Sequence, residues 1–172
     1  PAIVRRFAQA GAHVVAANRT LSRAQTVVED VTQQGLSAWA LPLDLETPTG
    51  ATEAVTAAAD QLGGLDILVH NAGGCPWSRL ETLSEEDLEL TLSINLKACF
   101  RLLKAALPWL RQSEHGRFLA TSSVTGPKVV MPGAVHYGAA KAGLNAFVRG
   151  AALELAADRI TVNAVEPGYI QK

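Results

Sequence analysis

Apolar positions along the chain fall into two alternating patterns. Residues 2–10 place Ile3, Val4, Phe7 and Ala8 at helical spacing and stop at Gly11. Residues 13–17 (HVVAA) form a short strand-type run, and a polar, helix-prone stretch over 22–34 ends at Gly35. Residues 36–43 read as a second strand, 49–62 as an Ala-rich helix stopped by Gly63-Gly64, and 65–70 (LDILVH) as a near-continuous apolar strand of the kind buried on both faces. Ser84 with Asp87 then makes a capping box, and Glu85, Glu86 and Asp87 suit a helix start. Leu88, Leu92, Leu96, Cys99 and Leu103 mark one face of a long helix over 84–112, which Pro108 is expected to kink or end. A strand over 117–121, a second long helix over 134–157 and a strand over 160–165, stopped by Pro167-Gly168, complete the series.

Strands that alternate with helices in this way predict an α/β fold: a doubly wound parallel sheet with helices on both faces. Ligands of such sheets sit beyond the C-terminal ends of the strands. The residues to weigh are therefore those just after each strand: Asn18, Arg19, Asp44, Asn71, Ala72, Gly73, Ser122, Ser123, Pro167 and Gly168.

Composition narrows the function classes. The chain has 172 residues, with 15 Lys+Arg against 16 Asp+Glu, a balance that gives no reason to expect nucleic acid or an acidic membrane as partner. Aromatic residues are only 5% and alanines number 29, so the core is expected to be small side chains packed closely. Cys75 and Cys99 form no CxxC pair, and His13, His70, His115 and His136 lie far apart, so no metal site is expected. No apolar run approaches a membrane span. The cysteine usage fits a reducing, cytoplasmic compartment.

Tyr137-x-x-x-Lys141 is the most informative local motif. The spacing puts both side chains on one helix face, and an ammonium held near a phenol favours the phenolate, which suits proton transfer near neutral pH. Such a pair also arises by chance on ordinary helices. Ser123 ends the preceding strand 14 positions earlier, where a Ser also serves as an ordinary turn cap. Asn95 lies on the apolar side of the first long helix, a costly place unless its amide is bonded; it is either a satisfied buried amide or a holder of water or backbone. Asn71-Ala72-Gly73-Gly74 is a turn of small residues that lets backbone approach a ligand, or a plain loop.

In this order, Asp44-Leu45, Asn71-Ala72-Gly73, Asn95, Ser123, Tyr137-x-x-x-Lys141 and Asn163-x-Val-x-Pro167-Gly168 resemble the short-chain dehydrogenase/reductase family across the whole chain, within its 3-oxoacyl-carrier-protein-reductase-like branch. The resemblance implies a Rossmann-type fold, a nicotinamide dinucleotide cofactor, and reversible hydride transfer to a ketone or from a secondary alcohol. It implies Tyr137 as general acid/base, Ser123 as the group that polarises the carbonyl, Lys141 as partner of Tyr137 and of the nicotinamide ribose, and Asn95 as holder of a relay water. It further implies that Asp44 and Leu45 flank the adenine, that Asn71, Ala72 and Gly73 line the adenosine side, and that Pro167, Gly168, Tyr169 and Ile170 meet the nicotinamide end. Asn18 stands where NAD binders usually carry an acid, and Arg19 follows with a fork suited to a 2′-phosphate, so NADP(H) is expected over NAD(H).

Several positions depart from the family pattern. His70 replaces a frequent Asn, Lys172 stands where a Thr is common, and the Ser123-to-Tyr137 interval is one residue longer than usual. The pattern starts after the family's Gly-rich phosphate turn and first strand, and stops before the substrate loop. The sequence is therefore expected to be a single dinucleotide-binding and catalytic domain over 1–172, cut from a longer enzyme and incomplete at both ends. By resemblance, helices 84–112 and 134–157 pair between subunits in a homodimer or homotetramer. The substrate is expected to be a small carbonyl compound or alcohol with an apolar group, since Trp77, Val129, Val130 and Met131 border the site; a 3-oxoacyl thioester is one candidate. The alternative is a non-catalytic dinucleotide-binding protein of the same fold, although such members usually lose the Tyr or Lys kept here.

Overall fold

A computed structural model of the chain describes residues 1–170; Lys172 lies outside the described residues. The chain divides into two compact units, one over Pro1–Leu65 and one from Asp66 onward.

In the first unit the order is α1 (Ala2–Gln9), β1 (Val14–Asn18), α2 (Leu21–Thr32), β2 (Ala38–Pro42) and α3 (Gly50–Leu62). β1 and β2 pair in parallel, from Val14 opposite Ala38 to Asn18 opposite Pro42, and α2 makes the crossover. Ala8, Val31 and Ala38 are buried at the centre, with Val4, Val14, Val28 and Leu36 packed around them. The apolar positions of α1 and α2 thus face the strands. The parallel register brings Asn18, at the end of β1, beside the exit of β2, where Leu43 N–H donates to the Asn18 carbonyl at 3.1 Å.

In the second unit the order is β3 (Ile67–His70), α4 (Glu85–Leu92), α5 (Ala98–Leu110), β4 (Arg117–Thr121), α6 (Val135–Glu154) and β5 (Thr161–Val165). The sheet order is β3-β4-β5, all parallel, with Ile67 beside Arg117 and Arg117 beside Thr161. Phe118, Leu110, Leu144, Ile160 and Val162 are buried between this sheet and its helices. Because the three registers run level, Asn71, Ser122 and Glu166 leave the strands at one edge. The candidate site residues of this unit gather there. Among the described residues, no helix is long and apolar enough to cross a membrane.

The architecture is parallel α/β as the patterning predicts, and three expectations change in detail. The five strands divide between a sheet of two and a sheet of three. β3 has one hydrogen-bonded neighbour among the described strands, and Ile67 is 37% exposed there. The helix expected over 84–112 starts as the capping box predicts, with Asp87 N–H donating to Ser84 Oγ at 3.1 Å. It is then interrupted by a π-helical turn over Ser93–Lys97 before continuing through Pro108 to Leu110. A single wide turn of this kind rotates the helix face that follows it. Thr91, before the turn, and Asn95, within it, are fully buried, whereas Leu92 and Leu96 are only half-buried. A short 3₁₀ turn at Leu80–Thr82 was not apparent from the pattern.

Candidate active site

The π turn explains how a polar side chain tolerates the core. Within it Ala98 N–H donates to the Ser93 carbonyl five residues back. Asn95 turns inward, and its amide nitrogen donates to the Thr91 carbonyl at 2.8 Å and to the Gly74 carbonyl at 2.7 Å. Its amide oxygen accepts from Gly74 N–H at 3.3 Å. The side chain therefore clamps both polar groups of Gly74 and fixes the turn that follows β3. Its backbone carbonyl accepts from the Cys99 thiol at 3.7 Å, a thiol that burial pushes up to about 12 and so keeps neutral.

Gly73 is required by this packing. A Cβ there would stand 2.8 Å from the Asn95 amide oxygen and 3.3 Å from Lys141 Nζ. The same turn, Asn71 to Gly74, is otherwise exposed at the strand edge, as a backbone surface for a ligand must be.

Lys141 lies one turn after Tyr137 on α6, with its ammonium 5.6 Å from the centre of the phenol ring. It is 2% exposed and donates to the Thr121 carbonyl at 2.7 Å. Burial pulls its pKa below the ordinary lysine value. An ammonium carries three donors, so two remain for a ligand. Thr121 in turn donates through its hydroxyl to Asn71 Oδ1 at 2.9 Å, which joins the ends of β3 and β4 to the Tyr137 helix.

The two serines after β4 have different tasks. Ser122 donates to the Lys141 carbonyl at 3.4 Å and fastens the strand end to α6. Ser123 Oγ accepts from Thr125 N–H at 3.1 Å, which leaves its own hydroxyl hydrogen to donate. Val124 N–H donates to the Pro167 carbonyl at 3.2 Å, and Tyr169 hydroxyl to Met131 Sδ at 2.9 Å, so the segment after β5 lies against the loop after β4. Gly168, Tyr169 and Ile170 are exposed. A cavity of about 320 Å³ opens at this edge, lined by Gly73, Gly74, Trp77, Thr125, Met131 and Tyr137 among others.

Asn18, Arg19, Asp44 and Leu45 belong to the first unit. Asn18 Oδ1 accepts from Thr20 N–H at 2.9 Å and turns the chain into α2. Arg19 is exposed but paired through Nη1 with Glu46. Asp44 Oδ1 accepts from Glu46 N–H at 2.9 Å, and Leu45 is buried. Sequence patterning did not reveal Glu46 as the partner of Arg19.

His70, which reads as a tolerable replacement in the sequence, has a defined task. Its Nε2–H donates to the Ile94 carbonyl at 3.1 Å, a group inside the π turn next to Asn95. Since that carbonyl only accepts, Nε2 carries the hydrogen and the buried Nδ1 is bare, with no partner among the described residues. Burial, with the Lys141 charge adding to it, lowers the pKa of His70 from 6.5 to about 4. In the unfolded chain the imidazole takes up a proton as the pH falls through 6.5, but in the fold it resists until about 4. The unfolded state thus binds more protons across that window, and stability should decline as the pH falls through it, by about 3 kcal/mol in all. Urea unfolding at a series of pH values should show this slope in the wild type and lose it in His70→Asn. An equal slope in both proteins would remove His70 as its cause.

Comparison with known proteins decides the family. The model for short chain dehydrogenases matches residues 1–172. The chain belongs to the short-chain dehydrogenase family. It is 31% identical over 169 residues to the oxidoreductase UcpA of Escherichia coli K12, covering 98% of this chain and 64% of that protein. It is 34% identical over 148 residues to the 3-oxoacyl-[acyl-carrier-protein] reductase FabG of Staphylococcus aureus Mu50, covering 86% of this chain and 60% of FabG. The chain thus spans less than two thirds of the length of these curated relatives. Among solved structures, a short-chain dehydrogenase from Burkholderia cenocepacia J2315 in complex with NADP superposes with a TM-score of 0.92 at 37% identity, over 97% of this chain and 68% of that one. The parallel sheets and their helices are accordingly the Rossmann-type fold of this family.

Proposed function

We propose that this short-chain dehydrogenase reversibly transfers hydride between a nicotinamide dinucleotide and a ketone or secondary alcohol. The observation that carries the reading is Tyr137, opening into a cavity with the buried Lys141 ammonium against its ring. The residues fit such a cofactor. The turn Asn71–Gly74 is small and exposed, and Lys141 keeps two donors beyond its bond to Thr121. When bound, the nicotinamide supplies or accepts the hydride.

Tyr137 gives a proton to the carbonyl oxygen in reduction and takes it back in oxidation. Lys141 offsets the negative charge left on the Tyr137 oxygen and bonds ribose hydroxyls. Ser123 donates its free hydrogen to the same carbonyl oxygen and stabilises charge developing there. Asn95 spends its amide on Gly74 and Thr91, so a relay water shares its backbone carbonyl with the Cys99 thiol. In the first unit Asn18, Asp44 and Leu45 serve as adenosine contacts; in the second, Asn71, Ala72 and Gly73 line the adenosine side, and Pro167, Gly168, Tyr169 and Ile170 meet the nicotinamide end. Copies of the chain pair through α4–α5 and α6, a face on which exposed Phe100 packs at a tilt against Phe147 of the same chain, 4.3 Å between ring centres. The two free cysteines suit a cytoplasmic setting.

NADP(H) is the proposed cofactor, with Arg19 on the 2′-phosphate. Glu46 competes for that guanidinium, so the preference should be adjustable in both directions. Arg19→Ala should raise KM for NADPH by about tenfold and leave KM for NADH unchanged. Glu46→Gln should lower KM for NADPH. A wild type that prefers NADH, with Arg19→Ala indistinguishable from it, would refute the assignment.

The reading is tested by following NADPH oxidation against a panel of carbonyl compounds. The panel includes a 3-oxoacyl thioester, a second reading of the substrate that the similarity to FabG favours. Turnover of at least one carbonyl compound supports the proposal. Saturable cofactor binding with no turnover of any would instead make the protein a non-catalytic dinucleotide binder.

A further inference from the structure

We propose that the carbonyl compound taken by this site carries a planar aromatic group that stacks on Trp77, an inference that rests on the oxidoreductase reading above. Trp77 is 65% exposed, and it lines two hollows. One is the cavity at Tyr137; the other, of about 240 Å³, adds Ser78, Arg79, Pro132 and Gly133.

An exposed indole on a loop would ordinarily move freely. This one is fixed on both sides by the residues that lead into Tyr137. His136, itself buried, donates from Nε2 to the Pro76 carbonyl at 3.0 Å. Ser78 N–H donates to the Gly133 carbonyl at 3.0 Å. Gly133 has φ +81°, and a Cβ there would stand 3.1 Å from Trp77 Cε3, so a side chain at this position would be strained and would crowd the ring. The two chain neighbours of Trp77 are thus tied to positions 133 and 136, and the indole stands at a set offset from the Tyr137 hydroxyl. The indole thus offers a fixed aromatic face at the cavity mouth, on which a planar ring can stack.

The rest of the cavity agrees with a neutral, apolar group. Met131 and Ala134 line it with Trp77, and none of the described residues that line it carries a formal charge, although Arg79 lines the second hollow. Cys75 is the one ionisable lining group besides Tyr137, and burial pushes its pKa up, which keeps the thiol neutral.

The test compares acetophenone with cyclohexyl methyl ketone, which have the same heavy atoms but differ in ring planarity. Dissociation constants are read by ligand-observed NMR, independently of turnover. The wild type should bind acetophenone more tightly by about fivefold. Trp77→Leu should abolish that preference, Trp77→Phe should keep part of it, and Gly133→Ala should erode it by displacing the ring. Equal constants in the wild type, or a preference that survives in Trp77→Leu, would overturn the proposal. NADPH oxidation is followed with the same ketones. A preference without any turnover contradicts the oxidoreductase reading alone, and turnover without a preference contradicts the stacking alone.

Discussion

Tyr137→Phe is expected to lower kcat/KM for carbonyl reduction by about 10²–10⁴-fold. The phenol oxygen is the only part removed, and the ring keeps its place against Lys141, whose ammonium is anchored by the Thr121 carbonyl and not by the hydroxyl. The dissociation constant for the cofactor should therefore stay within about twofold of the wild type, because Lys141 and the Asn71–Gly74 turn are unchanged. Fluorescence titration and steady-state kinetics on the same preparations separate the two effects. Retained turnover would remove Tyr137 from proton transfer, and loss of cofactor binding would show that the hydroxyl has a different task.

The second large effect is expected at Lys141, and it has opposite signs in activity and in stability. Lys141→Met keeps the length of the side chain and removes its charge. Turnover should fall by about 10²–10³-fold, as when one preorganised donor to a developing charge is lost. The folded protein should lose little. The ammonium is buried with no carboxylate partner among the described residues, and its lowered pKa expresses the cost of that burial. Exchange of a buried cation for an apolar chain returns this cost and offsets the lost bond to the Thr121 carbonyl. The thermal midpoint should therefore hold or rise while activity collapses, the pattern of a residue kept for function at the expense of stability. A midpoint that falls by more than about 8 °C would mark Lys141 as structural.

Much of this was legible in the amino-acid pattern, for reasons that differ by position. Strand and helix periodicity marks where each strand ends, and parallel pairing brings those ends to one edge, so Asn71 and Ser123 fall there from spacing, whereas the roles given to them and to Tyr137 come from the family resemblance. Ser84 announces the start of α4 because capping is local chemistry. The π turn was not legible, because a repeat of leucines four apart does not show an extra residue in a turn. Only the pair Thr91 and Asn95, two polar groups four apart in an apolar helix, hints that the buried face has rotated. The His70 bond to Ile94 and the Glu46 pairing of Arg19 depend on contacts between segments distant in the chain, and no local pattern carries them. The same holds for the fixing of Trp77 by positions 133 and 136.

The central claim is that this site moves hydride from a nicotinamide to a carbonyl carbon while Tyr137 supplies the proton. The most direct measurement uses NADPH deuterated at C4 on either face, with mass analysis of the alcohol formed from a carbonyl compound. One of the two labelled cofactors should place a single deuterium on the carbinol carbon, with the hydroxyl proton drawn from solvent, and Tyr137→Phe should form almost none of this product. Saturable binding of NADPH without deuterium in any product would contradict the account.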